Sequence, residues 1–163
     1  MGKRSRSVSS VHESLRTRAF RWFMNFWPCY WGTGGWVTFI AADWSEVHVR
    51  LPLNWRTRNY VGTIFGGSLY GAVDPFFMLM LIKRLGPDFV VWDKAASIRF
   101  RKPGRSTLTA VFLLEDFEVE EIHRLLEDEP KVDRSFTVDL VDAQGVVHAE
   151  IQKTVHIAVA STS

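Results

Sequence analysis

The feature that most constrains this chain is a single long apolar segment, residues 66–85, set among short stretches that all read as strands. It is too long for a typical strand. Its continuous apolar part, residues 69–82, is interrupted by Asp74 and Pro75 and is too short to cross a bilayer. A buried helix ended by Gly86-Pro87 is therefore predicted. A helix that is apolar nearly all round must be covered on most sides. The strand candidates are residues 36–42, 46–53, 89–101, 107–114, 135–141 and 146–159. In the second, Val47, Val49 and Leu51 alternate with Glu46, His48 and Arg50; the third has a possible break at Asp93-Lys94. Residues 142–145, Asp-Ala-Gln-Gly, read as a hairpin turn, and Val119, Ile122, Leu125 and Leu126 mark a short amphipathic helix. Short connections between successive strands favour antiparallel pairing. The predicted fold class is α+β, a curved antiparallel sheet of about six strands wrapped around the long helix.

The rest of the chain narrows the function class. Residues 1–10 are basic and Ser-rich and are expected to be disordered; no apolar stretch of signal-peptide type follows them. Residues 11–163 are expected to form one domain. It opens with a helix over residues 11–27, where Leu15, Ala19, Trp22, Phe23 and Phe26 recur at helical spacing before Pro28. A loop containing Gly32, Gly34 and Gly35 is expected next. That helix is expected to pack on its own domain; membrane contact through Trp22, Phe23, Phe26 and Trp27 is the alternative. A net charge of +2 and the lack of zinc-finger or RNA-binding motifs argue against nucleic acid. The lone Cys29 excludes an internal disulfide and fits a reducing, cytoplasmic location.

Chemistry concentrates in residues 59–74, NYVGTIFGGSLYGAVD. Gly66-Gly67 lets the backbone approach a ligand and, at a helix start, offers unpaired first-turn N–H groups that polarise a carbonyl oxygen. Asp74 follows two turns later among Leu69, Tyr70, Val73, Phe76, Phe77 and Met78, where a carboxylate needs a partner. The segment resembles the hot-dog-fold thioesterases, in particular the phenylacetate-degradation (PaaI-like) type and an uncharacterised bacterial branch of it. Asn59, Gly62, Thr63, Gly66, Gly67 and Asp74 fall at matching positions of that pattern, and Phe65 stands where the family has His. The resemblance implies acyl-CoA hydrolysis in a homodimer or homotetramer. It implies Asp74 from the partner subunit as general base or nucleophile, and Asn59 positioning the water or thioester.

Each position also has an alternative. Asp74-Pro75 is a good N-cap and N1 pair, so Asp74 either starts a new helix or sits in one helix kinked at Pro75. Gly66-Gly67 either packs helix on sheet or holds the thioester carbonyl, and Asn59 is either a turn residue or a positioning group. Phe65 and Tyr70 are candidate pocket walls. Arg99, Arg101, Lys102 and Arg105 flank Pro103-Gly104 as either a charged edge or a landing patch for coenzyme A phosphates. His48 and His148 are expected at the surface, and Lys153, on an apolar strand face, is expected to snorkel at a sheet edge. No metal-ligand spacing occurs, and Ser68 lacks the Gly that a nucleophile elbow requires. The expectation is a thioesterase acting on acyl-CoA-type thioesters, with no cofactor beyond the coenzyme A moiety of the substrate. The alternative, motivated by Phe65, is a non-catalytic acyl- or lipid-binding protein.

Overall fold

A computed structural model of the chain describes residues 11–160; the expected disorder over residues 1–10 lies outside them. The elements are α1 (Leu15–Phe26), α2 (Pro28–Thr33), β1 (Trp36–Ile40), β2 (Glu46–Leu51), α3 (Gly66–Gly71), α4 (Phe76–Leu85), β3 (Phe89–Phe100), β4 (Leu108–Leu113), α5 (Asp116–Asp128), β5 (Lys131–Val141) and β6 (Val147–Val159). One antiparallel six-stranded sheet has the order β1-β2-β4-β5-β6-β3. It packs around α4, as the single-helix argument requires. Phe77 contacts Phe112 of β4 at 5.1 Å and stacks on Phe136 of β5 at 4.8 Å, while Phe76 reaches Phe112 at 5.1 Å. Met80, Leu81 and Leu85 complete the buried face.

The long central helix is built of two segments, α3 and α4, joined at Pro75. Helical bonds run through Ala72 N–H to the Ser68 carbonyl and Asp74 N–H to the Tyr70 carbonyl, both 3.0 Å. Pro75 then has no N–H to continue them, and α4 starts after it. Intrinsic propensity disfavours α3: three glycines in six residues cost roughly 3 kcal/mol against alanine. Burial of Leu69 and of the α4 aromatics, roughly 1.5–3 kcal/mol each, outweighs that.

Three other departures from expectation have plain causes. Pro28 ends α1 but also opens α2 at its first position, so the expected loop before β1 is partly helical. β5 begins at Lys131, earlier than residue 135, because its first residues gain ladder partners on β6. The aromatic stripe of α1 faces outward, with Leu15, Phe23 and Phe26 more than half exposed and Trp22 and Trp27 nearly so. The buried side carries Thr17, Met24 and Asn25. Asn25 decides this orientation: its side chain donates to the Val37 carbonyl at 3.0 Å and accepts from the Val37 N–H at 2.7 Å, closing part of the free side of edge strand β1. No helix among the described residues is long and apolar enough to cross a membrane.

Asn25→Ala should leave two buried backbone groups of Val37 unpaired. A loss of roughly 2–4 kcal/mol in urea unfolding is expected, with α1 detaching first in hydrogen exchange.

Candidate active site

Asp74 sits in the turn between α3 and α4 and does not cap α4. α4 has no side-chain cap, its N-cap is Pro75, and the Asp74 carboxylate points instead to the sheet. The turn is braced from behind by α2. Tyr30 donates its hydroxyl to the Ala72 carbonyl at 3.1 Å, and burial pushes its phenol pKa well above the ordinary value. A Cβ at Gly35 would fall 2.8 Å from the Tyr30 hydroxyl and 2.9 Å from Ala72 Cβ, and one at Gly71 would meet Thr33 at 2.9 Å. The glycines let α2 and the start of β1 close onto the turn.

From the sheet side, Lys153 holds the carboxylate. Its ammonium donates to Asp74 Oδ1 at 2.6 Å, to Tyr70 Oη at 3.3 Å, and pairs with Asp93 Oδ2 at 2.8 Å. Three N–H donors thus meet three oxygens. The Lys153 side chain is 1% exposed, whereas that of Asp74 is 42% exposed. The expectation that Lys153 snorkels at an edge is therefore wrong: β6 lies between β5 and β3, and the amine is paired inside. Burial works against the charge on Lys153, but the bonds to Asp74 and Asp93 prevail and raise its pKa above the ordinary value. Burial raises the carboxyl of Asp93; the Lys153 bond opposes this only in part, and the charge of Asp74 adds to the rise. Tyr70 is raised as well, chiefly by burial.

Asp93 reaches this cluster because β3 bulges between Asp93 and Ala95. Asp93 pairs with Val155 and, after the bulge, Ala96 pairs with Lys153. The inward series Phe89, Val91, Asp93 therefore continues as Ala96, Ile98. Sequence reasoning missed Asp93. The signal was there: a carboxylate in phase with Phe89 and Val91, and a lysine in phase with Ile151 and Val155, place opposite charges on the same side of the sheet.

A second feature lies at the other end of α3. A cleft of about 450 Å³ is lined by Asn59, Thr63, Ile64, Gly66, Leu69 and residues 100–104. It brings together Asn59, Gly66, Arg101 and Lys102 of the predicted set. Leu69 N–H makes the first helical bond, to the Phe65 carbonyl at 3.0 Å, so the N–H groups of Gly66 and Gly67 belong to the free first turn. Asn59 braces the loop: its amide donates to Thr63 Oγ1 at 2.9 Å, and its carbonyl accepts from the N–H groups of Val61 and Thr63. Phe65, 58% exposed, lies over Gly67, where a Cβ would fall 2.3 Å from its ring. Gly66 faces Phe100, 3.2 Å from where its Cβ would stand. Arg101 also pairs with Glu150 at 3.3 Å. Arg99 is opposite Glu150 in the β3–β6 register, and neither it nor Arg105 lines the cleft.

His148 is buried rather than at the surface. Its ring nitrogens lie 3.0 Å from Asp142 Oδ2 and 3.1 Å from the Pro103 carbonyl, which ties the β5–β6 turn to the cleft wall. His48 stays partly exposed beside Glu46. Among the described residues no group of three or more His, Cys, Asp or Glu gathers in a way that could hold a metal ion.

Residues 16–157 match the sequence family described as Domain of unknown function (DUF4442). The chain belongs to that family. No functionally curated protein is detectably similar to it in sequence. Among solved structures, a Pseudomonas aeruginosa protein described as of unknown function and a probable thioesterase is 20% identical. It matches with a TM-score of 0.78 over 91% of this chain and 99% of its own. The PaaI protein of the Escherichia coli phenylacetic acid degradation operon is 18% identical, with a TM-score of 0.61 over 91% and 99%. A Haemophilus influenzae thioesterase is 12% identical, with a TM-score of 0.65 over 91% and 94%. The shared architecture is the hot-dog fold.

Lys153 has a folded-state pKa above its ordinary value of 10.5. Its contribution to stability is thus complete below that value and is lost as pH rises through the folded one. Urea unfolding followed from pH 8 to pH 11 should show a fall in stability at the alkaline end that is smaller in Lys153→Met.

Proposed function

We propose that this protein hydrolyses acyl-CoA-type thioesters at a site built between two copies of the chain. The observation that carries this is Asp74: a carboxylate held on one oxygen by a buried ammonium, left half-exposed on the other side, and consumed by no helix cap. A thioester carbonyl resting on the Gly66 and Gly67 N–H groups would find donors where negative charge develops. Those groups lie eight and seven residues before Asp74, roughly 10–12 Å along the helix axis. The reacting carboxylate therefore comes from a second copy. β3 supports such pairing: it is a sheet edge of 12 residues with Val90, Trp92 and Phe100 exposed, an arrangement prone to add a further strand. A homodimer, or a tetramer of two such dimers, follows.

In the general-base route a water oxygen bonds to the carbonyl carbon and its proton passes to Asp74. The resulting oxyanion is held by the glycine N–H groups. Collapse breaks the C–S bond, and the thiolate takes the proton from Asp74. In the nucleophile route Asp74 itself attacks, releasing thiolate and forming an anhydride that water then opens. Arg101 and Lys102 at the cleft rim suit the coenzyme A phosphates. The exposed thiol of Cys29 suits a reducing compartment such as the cytoplasm.

Purified protein incubated with a panel of acyl-CoAs should release free thiol, and Asp74→Ala should lower kcat at least a hundredfold while keeping the wild-type circular dichroism. Unchanged turnover in that variant would end the proposal.

A second reading, an acyl binder without catalysis, draws on Phe65, whose ring covers Gly67 where the family His would stand. In the catalytic reading Phe65→His keeps or raises thiol release. If instead native mass spectrometry finds a retained fatty acid that this variant loses, with no thiol release on any chain length, the binder reading holds.

A further inference from the structure

We infer that Lys153 is a positioning residue for hydrolysis, aiming the Asp74 carboxylate, and that Asp93 is the anchor that fixes Lys153. This rests on Asp74 being the reacting carboxylate. The ammonium occupies a position on an interior strand, and all three of its donors are taken by Asp74, Tyr70 and Asp93. It has no donor left for substrate or solvent, so it acts only through Asp74. By binding Oδ1 at 2.6 Å it fixes the rotation of a carboxylate whose side chain is 42% exposed. A surface lysine could not do this, because its chain entropy and solvation would let the pair separate.

Asp93 has the complementary role. With Asp74 alone the amine would be free to swing; a second carboxylate 2.8 Å away, brought inward by the β3 bulge, removes that freedom. The groups facing the ammonium are Asp74 and Tyr70 from the helix and Asp93 from β3, while its register neighbour on β5 is the apolar Phe136. Asp74 therefore sees one positive and one negative charge, and the two can be removed separately.

The two removals push in opposite directions. Lys153→Met takes the positive charge from beside Asp74 and should move the acid limb of the kcat/KM profile to higher pH. Asp93→Asn takes away the negative charge and should move that limb to lower pH. In the methionine variant kcat should fall about tenfold or more with KM little changed. A merely structural role would leave kcat and the Asp74 rotamer of the folded variants unchanged.

Acyl-CoA hydrolysis by the full-length protein is the assay, with Asp74→Ala run in parallel. A dead Asp74→Ala beside Lys153→Met and Asp93→Asn variants of wild-type kcat and unshifted limbs would overturn this inference and leave the proposed function standing. An active Asp74→Ala would remove both. Where Lys153→Met does not fold, Asp93→Asn reads the same coupling from the other side. A crystal structure of either variant gives a readout independent of turnover. Asp74 should leave its wild-type rotamer in Lys153→Met, and the amine should have more than one position in Asp93→Asn. An unchanged carboxylate and an unchanged amine would refute the inference.

Discussion

A buried ammonium is the interaction on which the arrangement of this molecule turns. Taking Lys153 out of water costs several kcal/mol, which is recovered only with good geometry and full pairing. Here the pairing is divided among three groups: Asp74 after α3, Asp93 on β3 and the Tyr70 hydroxyl on α3. None of these satisfies the amine alone. The helix must lie at the right height over the sheet, and β3 must bulge where it does. Closure of the core and assembly of the Lys153 cluster are thus the same event.

The second constraint is backbone chemistry at the helix break. Pro75 removes one helical donor, and the turn it creates presents a carboxylate toward the sheet rather than along the helix axis. Small residues around the turn allow α2 to brace it, through Tyr30 on Ala72 and through the close approach of Gly35 and Gly71. A hydrogen bond of this kind is worth only about 1 kcal/mol net. Placed behind the proposed reacting group, its value lies in position more than in stability.

The sheet edges differ in the way they are treated. β1 is partly covered by α1, which docks through Asn25 and leaves its aromatic stripe outside. β3 remains an edge with apolar side chains exposed along it. The site and this edge share a strand, since Asp93 belongs to β3. Pairing of a second copy along β3 would bear directly on the bulge that sets Asp93.

Much of the architecture was legible in the amino-acid sequence. All six strands had candidate segments, the second marked by the alternation of Val47, Val49 and Leu51; the apolar run marked the central helix, and Asp142 to Gly145 the last hairpin, because these signals depend on residues close in the chain. The pattern in residues 59–74 drew attention to Asp74, Gly66 and Asn59, and the fold places Asn59 and Gly66 on one cleft. What the sequence could not settle was which of two locally reasonable partners a side chain takes. Asp74 before Pro75 looks like a cap until a lysine 79 positions later is brought to it. The apolar stripe of α1 looks like its buried face until Asn25 finds Val37. Lys153 on an apolar strand face looks like an edge residue until the strand order places β6 inside the sheet. In each case the deciding energy is a long-range polar contact in a dry environment. Such contacts exist only after the sheet has closed over the helix.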